Sequence, residues 1–195
     1  MVRAVFLCWA LPTWLMNRRA GLRLARGLSW TEVTDIVATD DLARFGRTAS
    51  ELARYQRHKA AVLDEWATMS DFLCHEIFGV APVLDADGKK RSAVPDGAAA
   101  RARAEPPPLV WRENAFPYAV RRGIEHHCVW STSAEALRDD ARFREVLERH
   151  RPSEQFVTCH FINPPALQSV RALPHAHVLS LRRDRLPRSK RPPGP

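Results

Sequence analysis

A chain of 195 residues has the length of one domain with appendages, and its 45% hydrophobic content is enough for a single core. The 27% charged fraction and six tryptophans exclude a chain disordered throughout. The net charge of +8 is concentrated at the ends: residues 1–27 carry +5, residues 182–195 another +5, and the stretch between them is −2. A fold that gripped nucleic-acid phosphates would carry its excess within the domain, so specific nucleic-acid binding is not expected.

Residues 1–27 read as a basic and apolar N-terminal extension. The run from Ala4 to Met16 is too short to span a bilayer as a helix, so no transmembrane segment is expected there. It reads as an extension that packs on the domain or is disordered, with an organelle-targeting or secretory segment as the alternatives. Ser29-Trp-Thr-Glu32 has capping-box spacing and predicts a helix from Trp30 to Ala38; Thr39 or Asp40 caps a short turn through Phe45. Thr48-Ala-Ser-Glu51 opens a longer helix, whose Leu52, Tyr55, Val62, Leu63 and Trp66 fall within one core-facing stripe. Ser70 is expected to cap a helix ending at Phe78, with Gly79 as its stop.

Residues 81–109 hold five prolines and no sustained periodicity, and read as one long loop. Ile124–Ser131, Phe156–Asn163 and His175–Leu181 read as strands, with a helix from Thr132-Ser-Ala-Glu135 to Arg149 between the first two. The last two strands are expected to pair antiparallel with the helices against one face. The fold class is α+β: a helical N-terminal half on a small antiparallel sheet, one domain over 28–182, and a basic disordered tail over 183–195. The four cysteines (Cys8, Cys74, Cys128, Cys159) form no CxxC pair and read as free thiols in a reducing compartment. Cys128 and Cys159 would approach one another if their strands paired.

Several ordered blocks carry a resemblance: Leu28-Ser-Trp-Thr-Glu-Val33, Phe116-Pro-Tyr118, Gly123-Ile-Glu-His126, Val129-Trp-Ser131, Leu167-Gln-Ser-Val-Arg-Ala-Leu173 and His175-Ala-His-Val-Leu179. In succession they resemble the N-acetylglucosamine-induced protein family, a eukaryotic family of unknown function, over about residues 28–182. The resemblance implies a cytoplasmic or nuclear protein linked to sugar-responsive metabolism, with organelle targeting through residues 1–27 as the alternative. Pro174 departs from the acidic residue pictured for the family.

Five of the eight histidines lie in or beside the strands. Alternation puts His126 on one face with Cys128 and Trp130, and His175 with His177 on one face of the last strand. If the strands are neighbours, His126, His160, His175 and His177 converge. Asn163, Gln168-Ser-Val170 and His175-Ala-His177 also bear a remote resemblance to histidine-triad enzymes, in which a histidine attacks the phosphorus of a nucleotide. Only two alternating histidines are present. If Leu179 stands for the missing third, His177 is the nucleophile; if Leu173 stands for the first, it is His175. The expected catalytic residues are thus His177, His175 and His126, with Asn163, Gln168, Ser169 and Trp130 binding a nucleotide or sugar phosphate. A non-catalytic binding module for a small ligand or protein is the alternative. No cofactor is assigned; zinc held by His126, His175 and His177 is the alternative. His127 and His58 read as structural, Glu125 as a solvated residue on the face opposite His126, and Arg121-Arg122 as surface charge.

Overall fold

Ser29 starts the first helix as its capping box requires. In the computed structural model, which describes residues 26–93 and 106–186, its hydroxyl accepts from the Glu32 amide at 3.3 Å, and the Glu32 carboxylate accepts from the Ser29 amide at 2.9 Å. Helix α1 spans Trp30–Ala38 and buries Trp30, Val33 and Ile36. Its entry is fixed by Gly27, where a Cβ would stand 2.6 Å from the Val120 carbonyl carbon and oxygen; only glycine fits. A 3-10 turn over Leu42–Arg44 leads to α2, Ala49–Glu65, capped by Thr48. Of the predicted stripe, Val62 and Trp66 are buried, whereas Leu63 is exposed. Helix α3, Met69–Phe78, is capped by Thr68 rather than Ser70, because the Thr68 hydroxyl takes the Asp71 amide. Gly79 ends it in the left-handed conformation, φ 66°.

The predicted 81–109 loop contains structure. Strands β1, Pro82–Leu84, and β2, Lys90–Ser92, form an antiparallel hairpin. Asp85 closes its turn by accepting from the Asp87 and Lys89 amides, and it pairs with Arg91 at 2.7 Å. Residues 94–105 lie outside the described residues. Strand β3, Leu109–Glu113, then begins the main sheet.

That sheet has the order β3-β4-β6-β5 and is antiparallel throughout, with β4 at Ile124–Ser131, β5 at Phe156–Phe161 and β6 at His175–Arg182. Since β4 and β5 both run antiparallel to β6, they are parallel to each other and need a crossover. Helix α4, Asp140–His150, supplies it and lands on the back of the sheet. Helices therefore cover both faces, not one as expected. On the back, Phe143 and Leu147 pack against Val129, Ala176 and Val178, each burial contributing roughly 2 kcal/mol. On the front, α1, Leu28 and Phe45 pack against Phe161, Leu179 and Leu181. The helix expected from Thr132 starts later, after a 3-10 turn at Ala136–Arg138, because Asp139 is the residue whose carboxylate meets the Ala141 and Arg142 amides.

Two further expectations change. Strand β6 stands between Cys128 and Cys159, paired with His177 and Leu179 respectively, so the two thiols do not meet; both are free. The fold also continues past residue 182: a 3-10 turn over Arg183–Arg185 delivers Leu186 into the front core. The rest of both tails lies outside the described residues. Among the described residues no helix is long and apolar enough to cross a membrane.

Candidate functional site

Pairing in the sheet places Cys128 opposite His177, Trp130 opposite His175, and His126 opposite Leu179. All of these face the front, so His126, His175 and His177 come together there. His160 does not: strand alternation turns it to the back, where its ring meets Phe143 of α4. His127 is also on the back, stacked on Trp111 and bonded through Nε2 to Arg151 at 3.0 Å. Arg151 holds Glu125 on the same face, so Glu125 does not orient His126.

The front histidines form a buried chain. His126 Nδ1 accepts from the Tyr118 amide at 3.1 Å. A neutral imidazole has one proton, which must then be on Nε2. His126 Nε2 is 3.0 Å from His177 Nδ1 and 3.2 Å from the Asn114 side-chain amide, whose oxygen accepts from the Phe116 amide. His177 Nε2 faces the Asn163 side-chain amide at 3.0 Å. The same end of that amide meets the Tyr118 hydroxyl at 2.9 Å. Both nitrogens of His177 are engaged. His175 has the opposite tautomer to His126: Nδ1 can only donate to the Leu173 carbonyl, 3.0 Å away, and Nε2 makes no hydrogen bond among the described residues.

Burial keeps these rings neutral. It lowers His126 to about 3, with the positive charge of Arg47 as the next cause. His177 is held well below its ordinary value by burial and then by His126. His175 is lowered mainly by burial. Burial likewise pushes the Cys128 thiol up to about 12, too high for a thiolate nucleophile at neutral pH.

The ligand atoms that lie close enough for a metal belong to His126, Cys128 and His177, not to the expected trio with His175. They do not fit one well. A ligating imidazole ordinarily donates its other N–H to an acceptor, whereas His126 Nδ1 receives an amide proton.

A cleft opens beside this chain in two lobes. One, about 440 Å³, has an aromatic wall that includes Tyr55, Phe72, Phe116 and Trp130, and reaches His175 and His177. The other, about 430 Å³, is lined by Arg47, Lys59, Arg171, Asn163 and Gln168, among others. Arg47, Tyr55, Ser169 and His177 line both. Of the predicted site residues, His175, His177, Asn163, Gln168, Ser169 and Trp130 line the cleft; His126 stands behind it as a support. Trp130 stacks on His175 with ring centroids 4.4 Å apart. Sequence reasoning missed Arg47, Lys59, Arg171 and His58, which no local spacing ties to the strands. His58 lines the aromatic lobe, in contact with Phe72 and Phe116. Arg121 and Arg122 line a separate cavity of about 540 Å³, which Glu125, His126 and His127 also line. A wider groove of about 1070 Å³ between α4 and β5 mixes Arg144 and Arg149 with Glu145 and Glu148 and is lined by no imidazole.

Comparison with known proteins agrees with the described domain. The chain is 30% identical over 173 residues to the uncharacterized protein YPL067C of Saccharomyces cerevisiae, covering 80% of this chain and 79% of that protein. Its fold is similar to the crystal structure of HTC1, with a TM-score of 0.53 and 25% identity, over 84% of this chain and 88% of that one. Residues 29–181 match the model of a family described as a protein of unknown function (DUF3605), and the chain belongs to that family.

Proposed function

We propose that the chain binds a small ring-bearing molecule in the bipartite cleft, with the ring against the aromatic lobe and His175 Nε2 within reach of it. The observation that carries this reading is the unpartnered His175 lone pair beside Trp130 in an aromatic-walled cavity of about 440 Å³, within the usual size for small-molecule sites. Nucleosides, nucleotides and sugar phosphates are the compounds to try first, the last because of the resemblance to sugar-induced proteins. Titration of the purified chain with adenosine, AMP and N-acetylglucosamine 6-phosphate, followed by Trp fluorescence and calorimetry, is expected to give saturable binding by at least one of them. No saturation by any of these at millimolar concentration contradicts the reading.

A second reading is favoured by the His175 tautomer. A histidine whose Nδ1 is fixed on a carbonyl and whose Nε2 is free is arranged as a nucleophile. Nε2 would attack phosphorus, the bond to the leaving oxygen would break, and water would release the phosphoryl or nucleotidyl group from the ring. His177, with both nitrogens engaged, is the positioning residue in this scheme. His175→Ala is expected to abolish turnover while leaving the fold intact; a protein that binds only will show altered affinity and no turnover in either form.

A further inference from the structure

The polar lobe of the cleft differs from the rest of the protein in its charge balance. Arg47, Lys59 and Arg171 reach it from three separate segments, and neither an aspartate nor a glutamate lines it. No carboxylate partner of these three cations occurs among the described residues. Eight other cations are paired, including Arg54 one turn of α2 before His58 and Arg91 in the hairpin. Arg47 is held in place by a 3.0 Å bond from Nε to the Phe116 carbonyl and by the Tyr55 ring, 4.8 Å from its guanidinium.

Asn163 lies beside these cations. It is 5% exposed and lines the same lobe, its Nδ2 meets the Tyr118 hydroxyl at 2.9 Å and His177 Nε2 at 3.0 Å, and its Oδ1 is buried without a partner among the described residues.

We infer that the polar lobe is an anion subsite, which takes the phosphate group of the ligand on Arg47, Lys59 and Arg171. This rests on the reading of the cleft as a ligand site and adds the substrate class: phosphate monoesters rather than uncharged rings. Ser169, at the junction of the lobes, is near the point where the phosphate would join the ring.

The test compares AMP with adenosine, and inorganic pyrophosphate with chloride at matched ionic strength, by calorimetry on the full chain. AMP is expected to bind at least about tenfold more tightly than adenosine, and pyrophosphate to compete with it. Lys59 and Arg171 are both exposed, so the double variant Lys59→Glu/Arg171→Glu should fold. In it the AMP advantage is expected to vanish while adenosine affinity stays within about twofold. Equal binding of AMP and adenosine by the natural chain overturns the anion subsite and leaves the cleft reading standing. If no ring compound binds but pyrophosphate does, the aromatic lobe has been misread and the subsite survives. Binding of AMP unchanged in the double variant contradicts the subsite directly.

Discussion

The two faces of the sheet hold histidines in equal prominence and use them differently. On the back, His127 stacks on Trp111 and accepts from Arg151 while its Nδ1 is buried without a partner among the described residues, His160 lies against Phe143, and α4 covers the surface. On the front, His126 and His177 link the Tyr118 amide to Asn163 through successive polar contacts, and His175, fixed by the Leu173 carbonyl, lines a cavity. Histidine content therefore says little about chemistry. What matters is which partner fixes each tautomer and which cavity the ring lines.

Substitutions should separate the faces. His177→Ala is expected to cause the largest loss, roughly 3 kcal/mol of folding stability, because it opens a cavity and strands the His126 and Asn163 groups that it satisfied. Chemical denaturation measures this, and a loss below about 1 kcal/mol would make the front chain no more than packing.

Acid provides the next largest contrast. Because burial depresses His126 and His177, the folded protein takes up fewer protons below pH 6.5 than the unfolded chain does. Their stabilisation is fully present above pH 6.5 and declines as pH falls towards the folded values, by roughly 1 kcal/mol per pH unit for each ring. Unfolding curves between pH 6.5 and 5, above the range where most carboxylates titrate, should show that slope; stability independent of pH there contradicts neutral burial.

Back-face changes should matter less. His127→Ala removes one of the Arg151 contacts while Glu125 and Ser180 retain the guanidinium, for a cost of about 1 kcal/mol and unchanged ligand affinity. His160→Ala, which loses a ring contact on a residue exposed to solvent, is expected to cost no more than ~0.5 kcal/mol. A back-face substitution that altered binding in the cleft would break the distinction between the faces.

Much of the front was legible in the sequence because β alternation is local. Reading His126 with Cys128 and Trp130, and His175 with His177, needed only a period of two and correct strand limits. Placing His160 with them failed because the phase of β5 against β6 depends on register: Phe161, not His160, faces His177. The β1–β2 hairpin was signalled by Asp87-Gly88 but was obscured by the prolines and alanines that follow it. Strand β3 was hidden directly behind Pro106-Pro-Pro108. The cations of the polar lobe had no sequence signal at all. Arg47, Lys59 and Arg171 are brought together only when α2 and the 165–174 loop close over the sheet.

The tautomers of the three front histidines decide between a built site and a set of buried rings. Long-range ¹H–¹⁵N spectra of histidine-labelled protein at pH 6 to 7 read them one by one. The account predicts neutral rings throughout, with His126 protonated on Nε2 and His175 on Nδ1. A His175 protonated on Nε2, or a His177 that titrates near its ordinary value of 6.5, would contradict it.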